Sequence, residues 1–294
     1  VTRFKCKGFA VGVVFNHTIA DGYGLSLMLS AMAEFARGAR APSTLPVWER
    51  HLFTARSPPQ PCHVEKYYED PATDAAARER IKQTELNLTT PAAIFLTGEN
   101  LRAMRDRHGL HSFTKFELIT AALWKTRTLL LKPDPDEITR VTCVSNARTA
   151  RAMRRVPKGY YGNVVFTPSA ACSAAEMAGK RMDEVAAMVR GAKGLLRDPE
   201  YFQSTVDHIA TRASLSHIRL NLTVSDFGRL GFDRLDFGWG EPYYAGSPIV
   251  KHWVTFYQTV RNVAGSGAGE DETMVCLRVP KGFEVDFLRM MMGE

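Results

Sequence analysis

The sequence predicts an α/β fold whose sheets mix parallel and antiparallel strands. Apolar residues make up 45% of the 294 positions, enough to form a large buried core. Helical patterns alternate with β-branched strand patterns along most of the chain, which is the order expected of an α/β protein. The segments 250–261 and 273–279 predict antiparallel strands joined by a glycine-rich loop at 263–271, and this hairpin indicates a mixed sheet.

The first elements are a strand, a helix and a long connector. An apolar run predicts a buried strand at 11–15, and Gly22 and Gly24 punctuate the chain before an amphipathic helix at 25–37. Six prolines between positions 39 and 74 exclude a continuous helix or a central strand there. We therefore expect an extended connector, which indicates a crossover between two domains because unstructured segments of this length are unusual within one domain.

The remaining patterns predict strands and helices in alternation. A strand at 84–97 is interrupted by Pro91, and a polar helix at 99–108 ends at Gly109. The clearest amphipathic helix covers 114–131, with its apolar residues on one face. The other predicted elements are a strand at 139–145, one long helix at 173–196 that opens with a capping box, a strand at 218–225 and a last helix at 283–291.

Composition narrows the functional classes. No apolar run approaches the ~20 residues of a membrane-spanning helix, so no membrane partner is expected. The five cysteines are odd in number and form no CxxC pair, so we expect neither a disulfide framework nor a metal site, and a cytoplasmic location. The net charge of +7 indicates either an ordinary basic surface or attraction of a polyanion. No aromatic platform accompanies the basic run at 148–158, so nucleic acid is not expected.

The most informative local feature is the segment 16–22 (NHTIADG), which directly follows the first apolar run. A histidine at the end of a strand can be held rigidly while its ring faces a cleft, which suits a general base. Asp21 could brace this turn, or it could orient the imidazole of His17 as the aspartate of a serine hydrolase does. A buried structural histidine or a chance match are the alternatives, since His-x-x-x-Asp is a weak signal by itself.

A second motif, DFGWG at 236–240, makes the weak signal of the first motif more specific. Its first three residues match a kinase motif, but the other kinase signatures are absent from the sequence. The pair HTIADG and DFGWG resembles the plant BAHD acyl-CoA-dependent acyltransferases, which move an acyl group from coenzyme A to an alcohol or amine. The segments 46–50 and 55–59 resemble the alcohol acyltransferase branch, which acylates small alcohols such as benzyl alcohol. Further segments similar to those of the family follow in family order at 120–125, 146–148, 159–163 and 224–226.

The resemblance implies a two-lobed fold like that of chloramphenicol acetyltransferase. In the family a large portion precedes the histidine motif, whereas sixteen residues precede His17 here, so we expect the first lobe to be largely missing. We also expect a monomer when the protein is complete. The implied division assigns 1–45 to the end of the first lobe, 46–75 to the crossover loop, 76–235 to the second lobe, 236–254 to a segment returning to the first lobe and 255–294 to the rest of the second lobe.

The resemblance also implies roles for individual residues. His17 is the expected general base in a reaction without an acyl-enzyme, with acyl-CoA as co-substrate, a small alcohol as acceptor and no permanently bound cofactor. Asp21 is expected to form a structural ion pair with Arg148 in preference to acting on His17. The residues expected to support the active site are Asp21, Gly22, Arg148, Asp236, Gly238, Trp239 and Gly240. The candidates for coenzyme A contacts or for oxyanion stabilisation are Asn146, Tyr161, Asn163 and Ser225.

Two other classes of function stay open at this stage. Without the missing half-lobe the protein could be a non-catalytic homologue with a structural or interaction role, because exposed strand edges and apolar surface promote association. A hydrolase is a third option, which would release the thiol of an acyl-CoA without any alcohol. The DFGWG segment is expected to form a tight turn in which the indole of Trp239 packs as a wedge.

Overall fold

The structure, a computed structural model, centres on one seven-stranded mixed sheet. It describes residues 1–62, 86–148, 156–211, 220–247, 254–260 and 272–292. A separate two-stranded ribbon near the start comprises β1 (Thr2–Arg3) and β2 (Phe9–Ala10). The strands of the large sheet are β3 (Thr89–Leu96), β4 (Ile138–Asn146), β5 (Val165–Phe166), β6 (Ser169–Ser173), β7 (Leu220–Asp226), β8 (Thr255–Val260) and β9 (Glu272–Pro280).

The strand order of the large sheet is β3-β9-β8-β7-β4-β5, and β6 also pairs with β4. β7 runs parallel to both of its neighbours, β4 and β8, whereas the other pairs are antiparallel. The predicted mixed sheet is therefore confirmed, as is the antiparallel pairing of β8 with β9. The loop predicted at 263–271 lies outside the described residues. Pro91 is tolerated because β3 lies at the edge of the sheet.

Helices cover the sheet and form the main core with it. They are α1 (Gly22–Ala36), α2 (Gly98–His108), α3 (Lys115–Leu131), α4 (Ala174–Gly179), α5 (Met182–Gly194), α6 (Pro199–Ala210) and α7 (Glu284–Met292). α3 is central, since Leu118, Ile119 and Leu123 are fully buried in this core. The indole of Trp124 is also buried and donates to the hydroxyl of Thr139 at 2.8 Å. None of the described helices is long and apolar enough to cross a membrane.

Local capping signals locate several helix ends. α2 and α3 begin after capping boxes at Thr97 and Thr114, and α2 ends at Gly109 in the left-handed conformation. The capping box that opens with Ser173 is confirmed. The single helix predicted at 173–196 is wrong, because the chain breaks between α4 and α5. The break frees the last carbonyls of α4, and the ammonium of Lys125 binds them, including that of Met177 at 3.2 Å.

The strand predicted at 11–15 is also wrong. The segment is irregular, and Val11, Val13 and Val14 are exposed, the last of them completely. An extended segment becomes a strand only when a neighbour pairs with its backbone, and none of the described residues pairs with this one. The apolar pattern alone therefore could not place it in a sheet.

The described part of the predicted connector, up to residue 62, contains only a short 3₁₀ turn, Arg50–Phe53. The backbone N–H of Val47 donates to the carbonyl of Gly159 at 3.0 Å. Further along, the buried carboxylate of Asp207 on α6 binds the guanidinium and backbone of Arg56 at 2.5 and 2.8 Å. Apart from this turn the described part of the connector is thus extended, as predicted, and contacts such as these fix it to the rest of the protein. The division of the chain between two lobes stays a prediction.

Candidate active site

His17 lies in an exposed turn directly before α1. The side-chain oxygen of Asn16 accepts from the backbone N–H of Thr18 at 3.0 Å and from its hydroxyl at 2.8 Å. The backbone N–H of Ile19 donates to the carbonyl of Asn16 at 3.1 Å and closes the turn. The imidazole stacks on Phe15, with ring centroids 6.0 Å apart. The ring is therefore accessible while its backbone is fixed, which rules out the alternative of a buried structural histidine.

Asn163, which is distant in sequence, binds two carbonyls of the same turn. Its side-chain nitrogen donates to the carbonyl of His17 at 2.8 Å and to that of Thr18 at 3.3 Å. These bonds hold the two consecutive peptide groups that follow His17. The sequence placed Asn163 among the coenzyme A or oxyanion candidates, and the structure gives its amide group partners within the turn itself.

Asp21 anchors the turn to the protein interior. Its carboxylate is fully buried and caps α1 by accepting from the backbone N–H of Gly24 at 2.9 Å. It also accepts from the backbone N–H of Val164 at 2.9 Å and from both terminal nitrogens of Arg148 at 2.8 and 3.1 Å. Four donors therefore occupy the two oxygens. Among the described residues the imidazole of His17 is not one of them, so the geometry favours the ion pair over the triad.

Arg148 joins Asp21 to the loop that follows β4. The side-chain oxygen of Asn146 accepts from the backbone N–H of Arg148 at 3.1 Å and from its guanidinium at 3.2 Å. The guanidinium also donates to the carbonyl of Gly162 at 2.5 Å, and it lies 4.5 Å from the ring of Tyr23. Asn146 therefore orients Arg148 toward Asp21.

Sheet topology explains why these segments meet. β4 and β7 are parallel neighbours with Val144 opposite Ser225, so their carboxyl ends lie at one edge of the sheet. The chain leaves β4 toward Arg148 and leaves β7 toward Leu230, whose carbonyl accepts from the hydroxyl of Ser26 on α1. A Cβ at Gly22 would lie 2.9 Å from a methyl carbon of Leu230, so the Leu230 side chain would have to shift to admit a larger residue.

Tyr161 and Ser225 occupy different surroundings. The ring of Tyr161 packs on Trp48 at 5.5 Å, and its carbonyl approaches α1 so closely that a Cβ at Gly24 would lie 2.0 Å from the oxygen. Ser225 is buried on β7, and no hydrogen bond within the described part of the chain joins it to the residues around His17. The structure therefore brings Tyr161 to the turn region but shows no such link for Ser225.

The DFGWG segment forms a tight turn closed by its own aspartate. The carboxylate of Asp236 accepts from the backbone N–H of Gly238 at 2.7 Å and of Gly240 at 2.9 Å, and these two bonds hold its pKa below the usual value. Both glycines have positive φ, +104° and +91°. Trp239 is 75% exposed and meets Phe9 edge-on at 5.2 Å, so the predicted wedge is wrong. The carboxylate closes this turn, and no packed indole is needed.

Several residues of the site were missed by the sequence reasoning. The N-cap role of Asp21, which starts α1 at Gly22 and not at the predicted residue 25, could have been found, since an aspartate directly before an amphipathic helix is an N-cap signal. The roles of Gly24 and Val164 depend on contacts between segments far apart in sequence, for which the chain carries no local signal. No group of three or more potential metal ligands occurs among the residues that the structure describes.

A family model described as the Transferase family matches residues 1–277. The chain belongs to this Transferase family. It is the BAHD family that the motifs indicated, and the match covers both the His17 turn and the DFGWG turn.

Curated members of the Transferase family are similar to most of this chain. It is 38% identical over 271 residues to alcohol acyl transferase 1 allele RGb of Malus domestica, covering 91% of the chain and 59% of that relative. It is 34% identical over 286 residues to alcohol acyltransferase 16 of Actinidia chinensis var. chinensis, covering 96% and 60%. The chain thus spans 59–60% of the length of these relatives.

Solved structures confirm the fold class. The crystal structure of vinorine synthase matches with a TM-score of 0.61 at 20% identity, covering 93% of this chain and 59% of that one. F. graminearum TRI101, crystallised with coenzyme A and T-2 mycotoxin, matches with a TM-score of 0.60 at 13% identity, covering 90% and 60%. The chain therefore has the chloramphenicol acetyltransferase-like α/β fold with a mixed sheet.

Proposed function

We propose that the protein transfers an acyl group from acyl-CoA to the hydroxyl of a small alcohol, forming an ester and free coenzyme A. Membership of the Transferase family and the similarity to two alcohol acyltransferases support this reaction. The observation that carries the proposal is the exposed imidazole of His17, whose turn is fixed through the buried Asp21–Arg148 ion pair. Acetyl-CoA or benzoyl-CoA is the proposed donor, and benzyl alcohol or a leaf alcohol is the proposed acceptor.

In this mechanism His17 moves one proton between the two substrates. An alcohol is a poor nucleophile at neutral pH, so the imidazole accepts the hydroxyl proton as the oxygen attacks the thioester carbonyl. The tetrahedral intermediate then collapses, the C–S bond breaks, and the imidazolium gives its proton to the departing thiolate. The thiolate is a good leaving group, so no acyl-enzyme is required. General base catalysis of this kind contributes typically ~10²–10⁴-fold to the rate.

The surrounding residues position this base. Asp21 and Arg148 fix the start of α1, Asn163 fixes the peptide after His17, and Asn146 orients Arg148. A fixed base lowers the entropy cost of reaching the reactive geometry. Asp21, Arg148 and Gly22 are therefore proposed as structural support, with Asn146 and Asn163 added to that group on the basis of their contacts. Tyr161 and Ser225 stay candidates for ligand contacts.

The DFGWG turn and the basic surface are proposed to serve the donor. Asp236, Gly238, Trp239 and Gly240 form a turn that we propose supports coenzyme A binding at a distance from the reacting atoms. The net charge of +7 favours a ligand that carries a diphosphate and a ribose phosphate. A cytosolic location, where acyl-CoA is available, stays our prediction from the cysteine pattern.

The experiment follows thiol release from acetyl-CoA or benzoyl-CoA with a chromogenic reagent, with and without a panel of small alcohols. We expect release that depends on an alcohol and that falls about 10²–10⁴-fold in His17→Ala. His111→Gln is the matched control, because His111 is also exposed and, among the described residues, pairs only with Asp106 at 3.7 Å. It should retain the wild-type rate.

Two results would contradict this proposal. Thiol release that needs no alcohol indicates a hydrolase. A folded protein that releases no thiol with any alcohol indicates the non-catalytic alternative, for which the exposed apolar side chains of Val11, Val13 and Val14 supply a specific observation. Ester formation, identified by mass, separates the acyl transfer from both.

A further inference from the structure

Arg50 contacts the His17 turn through the connector, a segment distant in sequence from the one that carries Arg148. It begins the 3₁₀ turn of the connector, and one terminal nitrogen of its guanidinium donates to the carbonyl of Ile19 at 2.6 Å. Ile19 is the residue whose N–H closes the turn onto Asn16. Arg50 therefore binds the second half of the same turn that Asn163 holds at its first half.

Aromatic rings fix the plane of the Arg50 guanidinium. Its central carbon lies 4.1 Å from the ring centroid of Trp48, 5.2 Å from that of Tyr161 and 6.0 Å from that of Tyr160. Contact of a guanidinium with an aromatic face is favourable and restricts the rotation of a long side chain. The group is thus held in one orientation, with its donor directed at Ile19.

The loop at 160–162 joins the two arginines. A Cβ at Gly162 would lie 2.6 Å from a terminal nitrogen of Arg50 and 2.6 Å from the hydroxyl of Tyr160, so a larger residue would displace both side chains. The carbonyl of the same glycine accepts from Arg148 at 2.5 Å. Gly162 therefore lies between two cations that come from the connector and from the segment after β4.

The stability of the fold does not fully explain why an arginine occupies position 50. Its Nε is buried and has no hydrogen-bond partner among the described residues, and none of their carboxylates forms an ion pair with it. A buried donor without a partner costs about 1–3 kcal/mol, which offsets part of the stabilisation from the aromatic contacts and from the bond to Ile19. A residue that breaks a local rule in this way is expected at a functional site.

We propose that Arg50 is a positioning residue for His17, acting through the carbonyl of Ile19. It fixes the chain two residues after His17, so that the imidazole keeps one location relative to the substrates. The inference rests on the proposed function for its effect on the rate, but the restraint on the turn is a property of the protein alone. A lysine could supply the charge but neither the planar stacking nor the fixed direction of the donor.

The test compares Arg50→Gln with Arg190→Gln in the same protein. Arg190 is a close chemical match, since it donates to the carbonyl of Ser112 at 2.6 Å and lies 4.0 Å from the ring of Phe113. It joins α5 to Glu117 of α3 and contacts no described residue of the His17 turn. Two quantities are measured: kcat and KM for both substrates, and hydrogen exchange of the peptide that covers 16–21.

We expect Arg50→Gln to lower kcat about 10- to 100-fold with KM changed less than about twofold, because the base is displaced while the binding sites persist. The amides of 16–21 should exchange at least about threefold faster in this variant and at the wild-type rate in Arg190→Gln. Arg50→Lys should recover part of the lost kcat, and it serves as the test variant if Arg50→Gln does not fold.

The proposal is overturned if exchange at 16–21 stays at the wild-type rate, or if KM rises while kcat is unchanged, which would indicate a substrate contact. Equal losses of kcat in Arg50→Gln and Arg190→Gln would also overturn it, since they would reflect general destabilisation. If the wild-type protein transfers no acyl group, the proposed function fails. The exchange measurement then still decides whether Arg50 restrains the turn.

Discussion

The carboxylate of Asp21 and the guanidinium of Arg148 form a buried, bidentate ion pair across 127 positions of sequence. The Arg148 side chain is 8% exposed and that of Asp21 is fully buried. The pair fixes the start of α1 to the segment after β4, at the edge of the sheet where the parallel strands end. The location of His17 is therefore set by a contact that neither of these segments specifies alone.

Replacing Asp21 by asparagine should lower both stability and rate. Asparagine keeps the shape of the side chain but leaves the charge of Arg148 buried and uncompensated, which costs about 3–5 kcal/mol in the free energy of unfolding. Urea unfolding and kcat are measured together. Asp183→Asn, in the exposed pair with Arg181, should leave the unfolding free energy close to that of the wild type. A loss of rate with unchanged stability would restore the triad interpretation of Asp21.

Replacing Asn163 by aspartate should slow the reaction, with a smaller effect on stability. A carboxylate has the same shape but cannot donate to the carbonyls of His17 and Thr18, so the turn loses its outer restraint and kcat falls about 10-fold. Asn100→Asp is the matched control. The side-chain oxygen of Asn100 accepts hydrogen bonds from the backbone N–H and the hydroxyl of Thr97, and a carboxylate oxygen can accept the same bonds. Steady-state kinetics on both variants make the comparison, and equal rates would remove Asn163 from the positioning group.

Replacing Gly24 by alanine should destabilise the protein, although alanine favours helices. The new Cβ would lie 2.0 Å from the carbonyl oxygen of Tyr161, so the loop must move, at a cost of about 1–3 kcal/mol. Gly191→Ala in α5 meets nothing within 4 Å and should stabilise the protein by about 0.5–1 kcal/mol. Thermal unfolding of the two variants should therefore shift in opposite directions. A stabilised Gly24→Ala would show that this contact is looser than described.

The Asp207 anchor predicts a specific pH dependence of stability. Burial opposes its charged form, but hydrogen bonds from Arg56, Gln60 and Gln203 outweigh that effect and hold its pKa well below its usual range. A group with a lowered folded pKa stabilises the fold above its unfolded pKa, here near 3.8, and this contribution is lost as the pH falls.

Asp207→Asn should therefore lower the melting temperature by several degrees at pH 7. The difference in melting temperature between the variant and the wild-type protein should decrease as the pH is lowered from about 5 toward 2. Asp106→Asn is the control, because Asp106 is 71% exposed, and it should match the wild type throughout. A gap that stays constant across this range would mean that the charge of Asp207 does not contribute to stability.

Elements with a strong local signal were predicted well. The helix at 114–131 was predicted within one residue, because its N-cap threonine and its apolar face are both local properties. Pairing of 255–260 with 272–280 likewise followed from two β-branched runs that are close in sequence. The prediction failed where the outcome depended on distant partners. The segment 11–15 has the apolar pattern of a strand but no described neighbour, and the helix at 173–196 is split where Lys125 binds the freed carbonyls.

By itself the sequence determined the α/β class, the family and the identity of the candidate base, because periodicity, capping residues and motif order are properties of the linear sequence. Only the tertiary structure decided how that base is held. The restraints on His17 come from Arg50, Arg148 and Asn163, which lie 31 to 146 positions from the turn residues they bind. The Arg148 contact arises because parallel strands end at one edge of the sheet, and the Arg50 contact because the connector packs on the turn. The spacing of residues along the chain encodes neither geometry.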